Sequence, residues 1–203
     1  PLIGASDASL KNGQCSHAWI ITTPNPDHIG DPLMSIYGQG MVDGYHRNLS
    51  SARGEIQGQT AAATILHGLH KTLDTSKVTI QMIGDNQGVQ NKCRRQTISK
   101  LRSHRDPNVD IFMEYHAAIS TFKPKVLWVR SHQDKDTPWE TLKELKELQL
   151  SPEATLNVWC DKQAEIARQE DISYPDADIL PAEKWAVFTT TPDYYKITGK
   201  LDE

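Results

Sequence analysis

No stretch of the sequence is apolar for long enough to cross a bilayer or to form the core of a signal peptide. No partnership with a membrane is therefore expected. Cysteine is scarce. Cys15, Cys93 and Cys160 are widely spaced, odd in number and without a C-x-x-C pair. That set argues against a disulfide framework and a structural zinc site, and it suits a reducing compartment. An intracellular home is expected, with nucleus and cytoplasm not distinguished. Basic charge is not in excess either: 22 Lys and Arg stand against 26 Asp and Glu, a formal net charge of −4. The sum does not advertise nucleic-acid binding, so local charge has to be read instead. No internal repeat is evident. The chain opens on Pro1 rather than Met, as expected of a piece excised from something longer. At 203 residues it has the length of one domain with an appendage.

The stretch from Val78 to Gln87 organises what is present. Val78, Ile80, Met82 and Ile83 form a short apolar run that reads as a strand buried on both faces. It stops at Gly84, and Asp85 follows at once. Ligands of open α/β sheets bind beyond the carboxyl ends of strands, although an Asp there can also simply cap the helix starting near Gln87.

Leu2 to Ser9 reads as a strand carrying Asp7 near its end. Lys11-Asn12-Gly13-Gln14 is a turn signal, and Ser16 to Thr23 a second strand, so the two predict a hairpin. Thr23 to Pro32 is a loop, and Met34 to Asp43 a third antiparallel strand. A helix is expected from Ser50-Ser51 to about Leu73, with Glu55 in its first turn, where its charge would favour the dipole. His67 and His70 lie one turn apart on it. With no third ligand nearby they read as packing or surface residues rather than a metal site.

Gln87 to Arg105 starts as a helix and carries Lys92, Arg94, Arg95, Lys100, Arg102 and Arg105, with no acid before Asp106. It is the one basic stretch of an acidic chain. A further helix is expected over Asn108 to Phe122, with Ile111, Ala118, Ile119 and Phe122 inward. Lys125 to His132 reads as a strand ending in a histidine. Thr137-Pro138-Trp139-Glu140 has the form of a capping box opening a short helix with Leu142, Leu145 and Leu148. Ser151-Pro152 opens another, to about Gln169, on which Asn157 and Asp161 share a face. From Asp171 the sequence turns acidic and irregular, with a possible small hairpin around Thr191-Pro192-Asp193.

Three antiparallel strands followed by parallel crossovers predict an α/β fold, a mixed five-stranded sheet with helices on its faces. In it the strands carrying Asp7 and Asp85 can lie side by side. The helix bearing Glu55 can bring that residue over the same end, and Asp161 can reach in from the last helix. Four crowded carboxylates repel unless cations sit between them. Hard divalent ions suit such oxygen ligands, and two of them about 4 Å apart clamp the attacking and leaving oxygens of a phosphodiester.

At this point the sequence resembles the ribonuclease H family, found as free enzymes and as the last domain of retroelement reverse transcriptases. Ser6-Asp7-Ala8-Ser9 is similar to the family's first acidic motif. Ser51-Ala52-Arg53-Gly54-Glu55 is similar to its Arg-x-Glu helix start, and Gly84-Asp85-Asn86-Gln87 to its Asp-Ser-Gln. Trp128-Val129-Arg130-Ser131-His132 is similar to Trp-Val-x-Gly-His, and Asn157-x-x-x-Asp161 to Asn-Glu-x-x-Asp. The resemblance covers roughly Leu2 to Gln169, and predicts a domain over 1–170 with 133–156 as a helical insertion and 171–203 as an extension outside it.

The resemblance implies a divalent-metal-dependent endoribonuclease that cuts the RNA strand of RNA–DNA hybrids. It implies two Mg²⁺ ions, replaceable by Mn²⁺, on Asp7, Glu55, Asp85 and Asp161, with His132 assisting proton transfer or product release. It implies nucleic-acid contacts from Gln87, Arg53, Ser51 and Asn157, with Asn157 also able to brace Asp161. It also implies a DNA-strand grip from the basic stretch, for which Arg94, Arg95, Lys100 and Arg102 are the candidates. A reverse transcriptase linked in one polyprotein is a further expected partner. Ser131 stands where the family has Gly, Val158 where it has Glu, and Ser51 and Ala52 where it often has Asn or Gln. The rival readings are the same fold as an inactive binding module and another nuclease of the superfamily.

Overall fold

The computed structural model describes residues 1–31, 33–42, 49–72, 78–95, 106–134 and 137–170. Asn12 and Gly13 both take positive φ, 53° and 78°, the pair of angles that joins two right-twisted strands through a two-residue turn. They link β1 (Leu2–Lys11) to β2 (Gln14–Thr22) in a register running from Ile3↔Thr22 to Lys11↔Gln14. After a 3₁₀ turn at Pro26–His28, β3 (Ser35–Met41) returns antiparallel to β2. The helix α1 (Ser51–Thr72) then crosses to β4 (Ile80–Gly84), which lies parallel to β1 on its other side. Two helices, α2 (Gln87–Cys93) and α3 (Val109–Ile119), lead to β5 (Lys125–Trp128), parallel to β4. The short α4 (Leu142–Glu147) and the long α5 (Pro152–Gln169) follow. Among the described residues this is one sheet in the order β3-β2-β1-β4-β5, the mixed five-stranded sheet the sequence predicts. No described helix is long and apolar enough to cross a membrane.

Strand alternation sorts the core into two layers. Ile21, Ile80, Met82 and Val126 face α1, α2 and α3, and meet Ile56, Leu66, Val89, Phe112 and Tyr115. Ile3, Ala5, Ile20 and Ile83 face the other way, against Leu145 of α4 and Leu156 and Trp159 of α5. Met82 and Ile83 are both fully buried on opposite faces, which is why the run around them shows no polar alternation.

Local capping corrects several boundaries. The N-cap of α2 is Asn86, whose side chain accepts from the N–H of Val89. Asp85 is therefore not the cap and its carboxylate is left for other work. The capping box of α4 is Thr141 with Glu144, not Thr137 with Glu140. Glu144 wins because its carboxylate reaches the N–H groups of both Glu140 and Thr141. Ser151 caps α5 with Pro152 in its first turn, as expected. The strand expected to reach His132 ends at Trp128. In α3 the fully inward residues are Ile111, Phe112 and Tyr115, while Ala118, Ile119 and Phe122 pack at the margin. Leu73, Asp43 and the possible hairpin in 171–203 lie outside the described residues.

The helix α1 sits unusually close to the hairpin beneath it. A Cβ on Gly54 would stand 2.6 Å from the Cβ of Ala8 and 3.1 Å from the carbonyl oxygen of Ser16. Neither atom is at the end of a flexible side chain. Gly54→Ala should therefore lower the stability to chemical denaturation by about 1–3 kcal/mol, as overpacking does. Gly68→Ala, on the same helix with nothing within 4 Å of its Cβ position, should raise it by about 0.5–1 kcal/mol. Equal effects at the two glycines would show that the close approach is not held.

Candidate metal centre

The parallel pairing of β1 and β4 runs from Leu2↔Ile80 to Ala5↔Ile83. Asp7 and Asp85 each lie two residues beyond that last pair, so the register sets them side by side. On the helix side Ser6 donates its hydroxyl to the carbonyl of Glu55 at 3.2 Å. This ties α1 to β1 at the level where Glu55 is needed. Glu55 is the fifth residue of α1 and not in its first turn, so dipole complementarity does not explain it. The result is one cluster among the described residues. Asp7, Glu55 and Asp85 each offer an oxygen, and these atoms lie within 4.8 Å of one another.

The cluster is buried where it matters. Asp7 is 6% exposed and Glu55 5%. Burial, with Asp85, Asp161 and Glu55 nearby, pushes the Asp7 carboxyl well above its ordinary value, against a lowering bond from the Ala8 N–H. Burial and Asp85 push Glu55 from an ordinary 4.5 to about 8, against the bonds from Asn86. Asp85 is raised too, by burial first; His132 pulls it down and Asp161 pushes it up. The donors that orient these groups are neutral. Asp7 accepts from the Ala8 N–H at 2.7 Å and from the Asn157 amide at 3.1 Å. Glu55 accepts from the Asn86 amide at 3.3 Å. The second oxygen of Glu55 is buried with no hydrogen-bond partner. Hard oxygen donors, mutual repulsion and a buried orphaned oxygen are the chemistry a divalent cation satisfies, so these residues fit a metal ion.

Asp161 stands at the rim rather than inside the three-residue cluster. Its side chain is 37% exposed, and its carboxylate lies 3.5 Å from Nδ1 of His132, itself 50% exposed. Burial raises the Asp161 carboxyl and His132 lowers it, while Asp134 and Glu165 raise it further. His132 takes a φ of 48°, a left-handed turn that aims the ring at Asp161 instead of along β5. The segment that follows it packs elsewhere. Trp139 and Leu145 of that segment are buried against Ile29, Ile83 and Leu156, and Lys146 pairs with Asp27 at 3.3 Å. The helix α4 is thus pinned to the second face of the sheet.

Other expected contacts sort differently. Gln87 is exposed in the first turn of α2 and Ser51 is exposed at the start of α1. Asn157 is buried and braces Asp7, not Asp161. Arg53 is neither a surface arginine nor available to a nucleic acid. It is 1% exposed, and its guanidinium forks onto both oxygens of Asp110 at 3.0 and 2.7 Å, locking α1 to α3. In the basic stretch Lys92 pairs with Asp106 and lies over the Phe112 ring. Arg94 donates to the Val126 carbonyl and to Asn91. Both Arg94 and Arg95 are exposed. Lys100, Arg102 and Arg105 lie outside the described residues. His67 bonds Thr121 and the His70 ring lies tilted against Phe122, so each has a local partner on the protein. Sequence reading did not single out two groups. The Trp128 indole donates to the Asp85 carbonyl at 2.6 Å, and Asn86 reaches Glu55. An Asn just before a helix signals a cap, but nothing local signals its second partner.

The architecture has solved counterparts. LC11-RNase H1, in complex with an RNA/DNA hybrid, matches with a TM-score of 0.52 at 9% identity, over 84% of this chain and 98% of that one. A second structure of LC11-RNase H1, isolated from compost by a metagenomic approach, gives 0.50 at 12% identity, over 83% and 96%. The fold is ribonuclease H-like. RNase H1 from the halophilic archaeon Halobacterium salinarum also matches, with 0.49 at 11% identity over 83% of this chain and 98% of that one. No protein-family model matches the sequence, and no curated protein matches it. The ribonuclease H-like likeness is therefore one of fold.

The raised carboxyls have a consequence for stability. The unfolded chain releases the Glu55 proton near 4.5, whereas the fold keeps it to about 8. Between those values the native state holds more protons, so the metal-free fold loses stability as pH rises. A divalent ion should restore it most where the carboxylates are ionised. At a hundredfold excess over Kd the gain is about 2.7 kcal/mol, roughly 5–10 °C in Tm for a chain of this size. Differential scanning of the metal-free protein with and without Mn²⁺ at pH 5 and pH 8.5 checks this. A shift of equal size at both values would contradict the burial of the cluster.

Proposed function

We propose that this protein is a divalent-metal-dependent endoribonuclease that hydrolyses the RNA strand of RNA–DNA hybrids. The observation that carries the reading is the convergence of Asp7, Glu55 and Asp85, with their oxygens within 4.8 Å and little water around two of them. Asp161 and His132 stand together on the open side of that cluster. The hybrid held by a solved protein of the same fold supports the choice of substrate.

Asp7, Glu55 and Asp85 would hold the ions, with Asp161 completing the set from the rim. When bound, Mg²⁺ or Mn²⁺ supplies charge stabilisation for the attacking water and the leaving oxygen of the phosphodiester. Asn157 and Asn86 orient the carboxylates without cancelling their charge. The Trp128 indole holds the backbone of Asp85. His132, half exposed and against Asp161, is placed to exchange a proton with the reacting phosphate or to help product leave. Gln87 and Ser51, exposed at two helix starts, offer polar contacts toward a hybrid minor groove, where the 2′-hydroxyl distinguishes RNA. Arg95, Lys100 and Arg102, with Arg94, would meet phosphates of the DNA strand.

Matched RNA–DNA, RNA–RNA and DNA–DNA duplexes incubated with Mg²⁺ test the reading. Cleavage confined to the RNA of the hybrid, leaving 5′-phosphate ends, is the expected result. Cleavage of another duplex would assign a different nuclease, and none at all an inactive binding module. Asp85→Asn should reduce cleavage by roughly a hundredfold or more with the fold intact, and His132→Ala by a clearly smaller factor. Arg95→Ser should lower the slope of log affinity against log salt by about one unit, as the loss of one phosphate contact does. An unchanged slope would make Arg95 a solvated surface charge.

A further inference from the structure

We propose that Asn86 is a positioning residue that holds Glu55 in the orientation the cluster requires, through an amide locked at the same time as the N-cap of α2. The inference rests on the metal-dependent reading above and adds a residue to it.

The amide has two ends and both are used. Its Oδ1 accepts from the Val89 N–H at 3.2 Å, and its Nδ2 donates to Oε1 of Glu55 at 3.3 Å. The first bond decides the second. Only an oxygen can accept from the helix N–H, so the cap forces the NH₂ group toward Glu55. Gly88 leaves the amide its place, since a Cβ there would lie 3.1 Å from Oδ1. With Oε1 engaged, Oε2 of Glu55 is the buried oxygen without a partner, and the carboxylate cannot spin freely. A Lys or Arg in the same place would orient Glu55 equally well but would cancel the charge a cation needs. A neutral amide orients without neutralising. Because Asn86 directly follows Asp85 and caps α2, which starts at Gln87, one side chain links Glu55 on α1 to the turn that carries Asp85.

Three substitutions separate capping from positioning. Ser is a strong N-cap but too short to reach Glu55, and Ala does neither. Mn²⁺ binding to the metal-free protein is measured by calorimetry at pH 8 for the parent, Asn86→Ser, Asn86→Ala and Asp7→Asn, with Tm for each. Asn86→Ser should bind Mn²⁺ about tenfold or more weakly, as loss of a partner behind a metal ligand does, while its Tm stays near the parent's. Asn86→Ala should show the same loss of affinity together with a lower Tm. The Mg²⁺ concentration for half-maximal cleavage should rise by a similar factor, with KM for hybrid unchanged. Parent-like Mn²⁺ affinity in Asn86→Ser would overturn the proposal. So would an affinity loss accompanied by a Tm fall as large as that of Asn86→Ala, which would make the role purely structural. A parent that binds no Mn²⁺, or an Asp7→Asn variant that binds it unchanged, would instead overturn the metal reading, and the role of Asn86 with it.

Discussion

Asp7, Glu55 and Asp85 bring their carboxylate oxygens within 4.8 Å of one another, in a place where water scarcely reaches two of them. Like charges so close, with so little solvent, favour protonation, and the raised Asp7 and Glu55 show it. No local preference of the chain would gather them. What does so is the parallel register of β1 on β4, which fixes the first and third at one level, and the packing of α1, which delivers the second.

That packing has its own requirements. Gly54 and Gly58 let the helix backbone descend to the hairpin, where Cβ atoms would come within 2.6 and 2.9 Å of Ala8 and Ser6. On the far side of α1 the buried Arg53–Asp110 fork ties it to α3. A buried pair of this kind contributes little net stability, because desolvation offsets attraction, but losing one partner is costly. Its effect is to fix the position of α1, and thereby of Glu55 two residues on. Arg53 thus acts on Glu55 through the helix.

On the opposite face the segment between β5 and α5 is an extension of the core. Trp139 and Leu145 fill space between Ile29, Ile83 and α5, and the Trp139 indole donates to Asp134 at 2.9 Å. The chain leaves β5 through His132 in a left-handed turn, and the segment beyond it folds back toward Asp27. The histidine and Asp161 meet there, both partly exposed.

Much of this was legible in the sequence, for a physical reason. Strand runs, the Asn12-Gly13 turn and the Ser151-Pro152 cap are governed by neighbours a few residues apart, and they appear where the residues predict them, apart from the earlier end of β5 at Trp128. The mixed sheet follows from the order of those elements, and the order in turn suggests which acids share an end. Local signals failed where two local solutions compete, as with Thr141 and Glu144 displacing Thr137 and Glu140 in the cap of α4. What only the tertiary structure decided is pairing over long separations. Asn86 finds Glu55 across 31 residues, Arg53 finds Asp110 across 57, and Asn157 finds Asp7 rather than Asp161 across 150. A polar side chain has the same local signature whichever partner it meets. The partner is set by where helices and strands come to rest, and only packing fixes that.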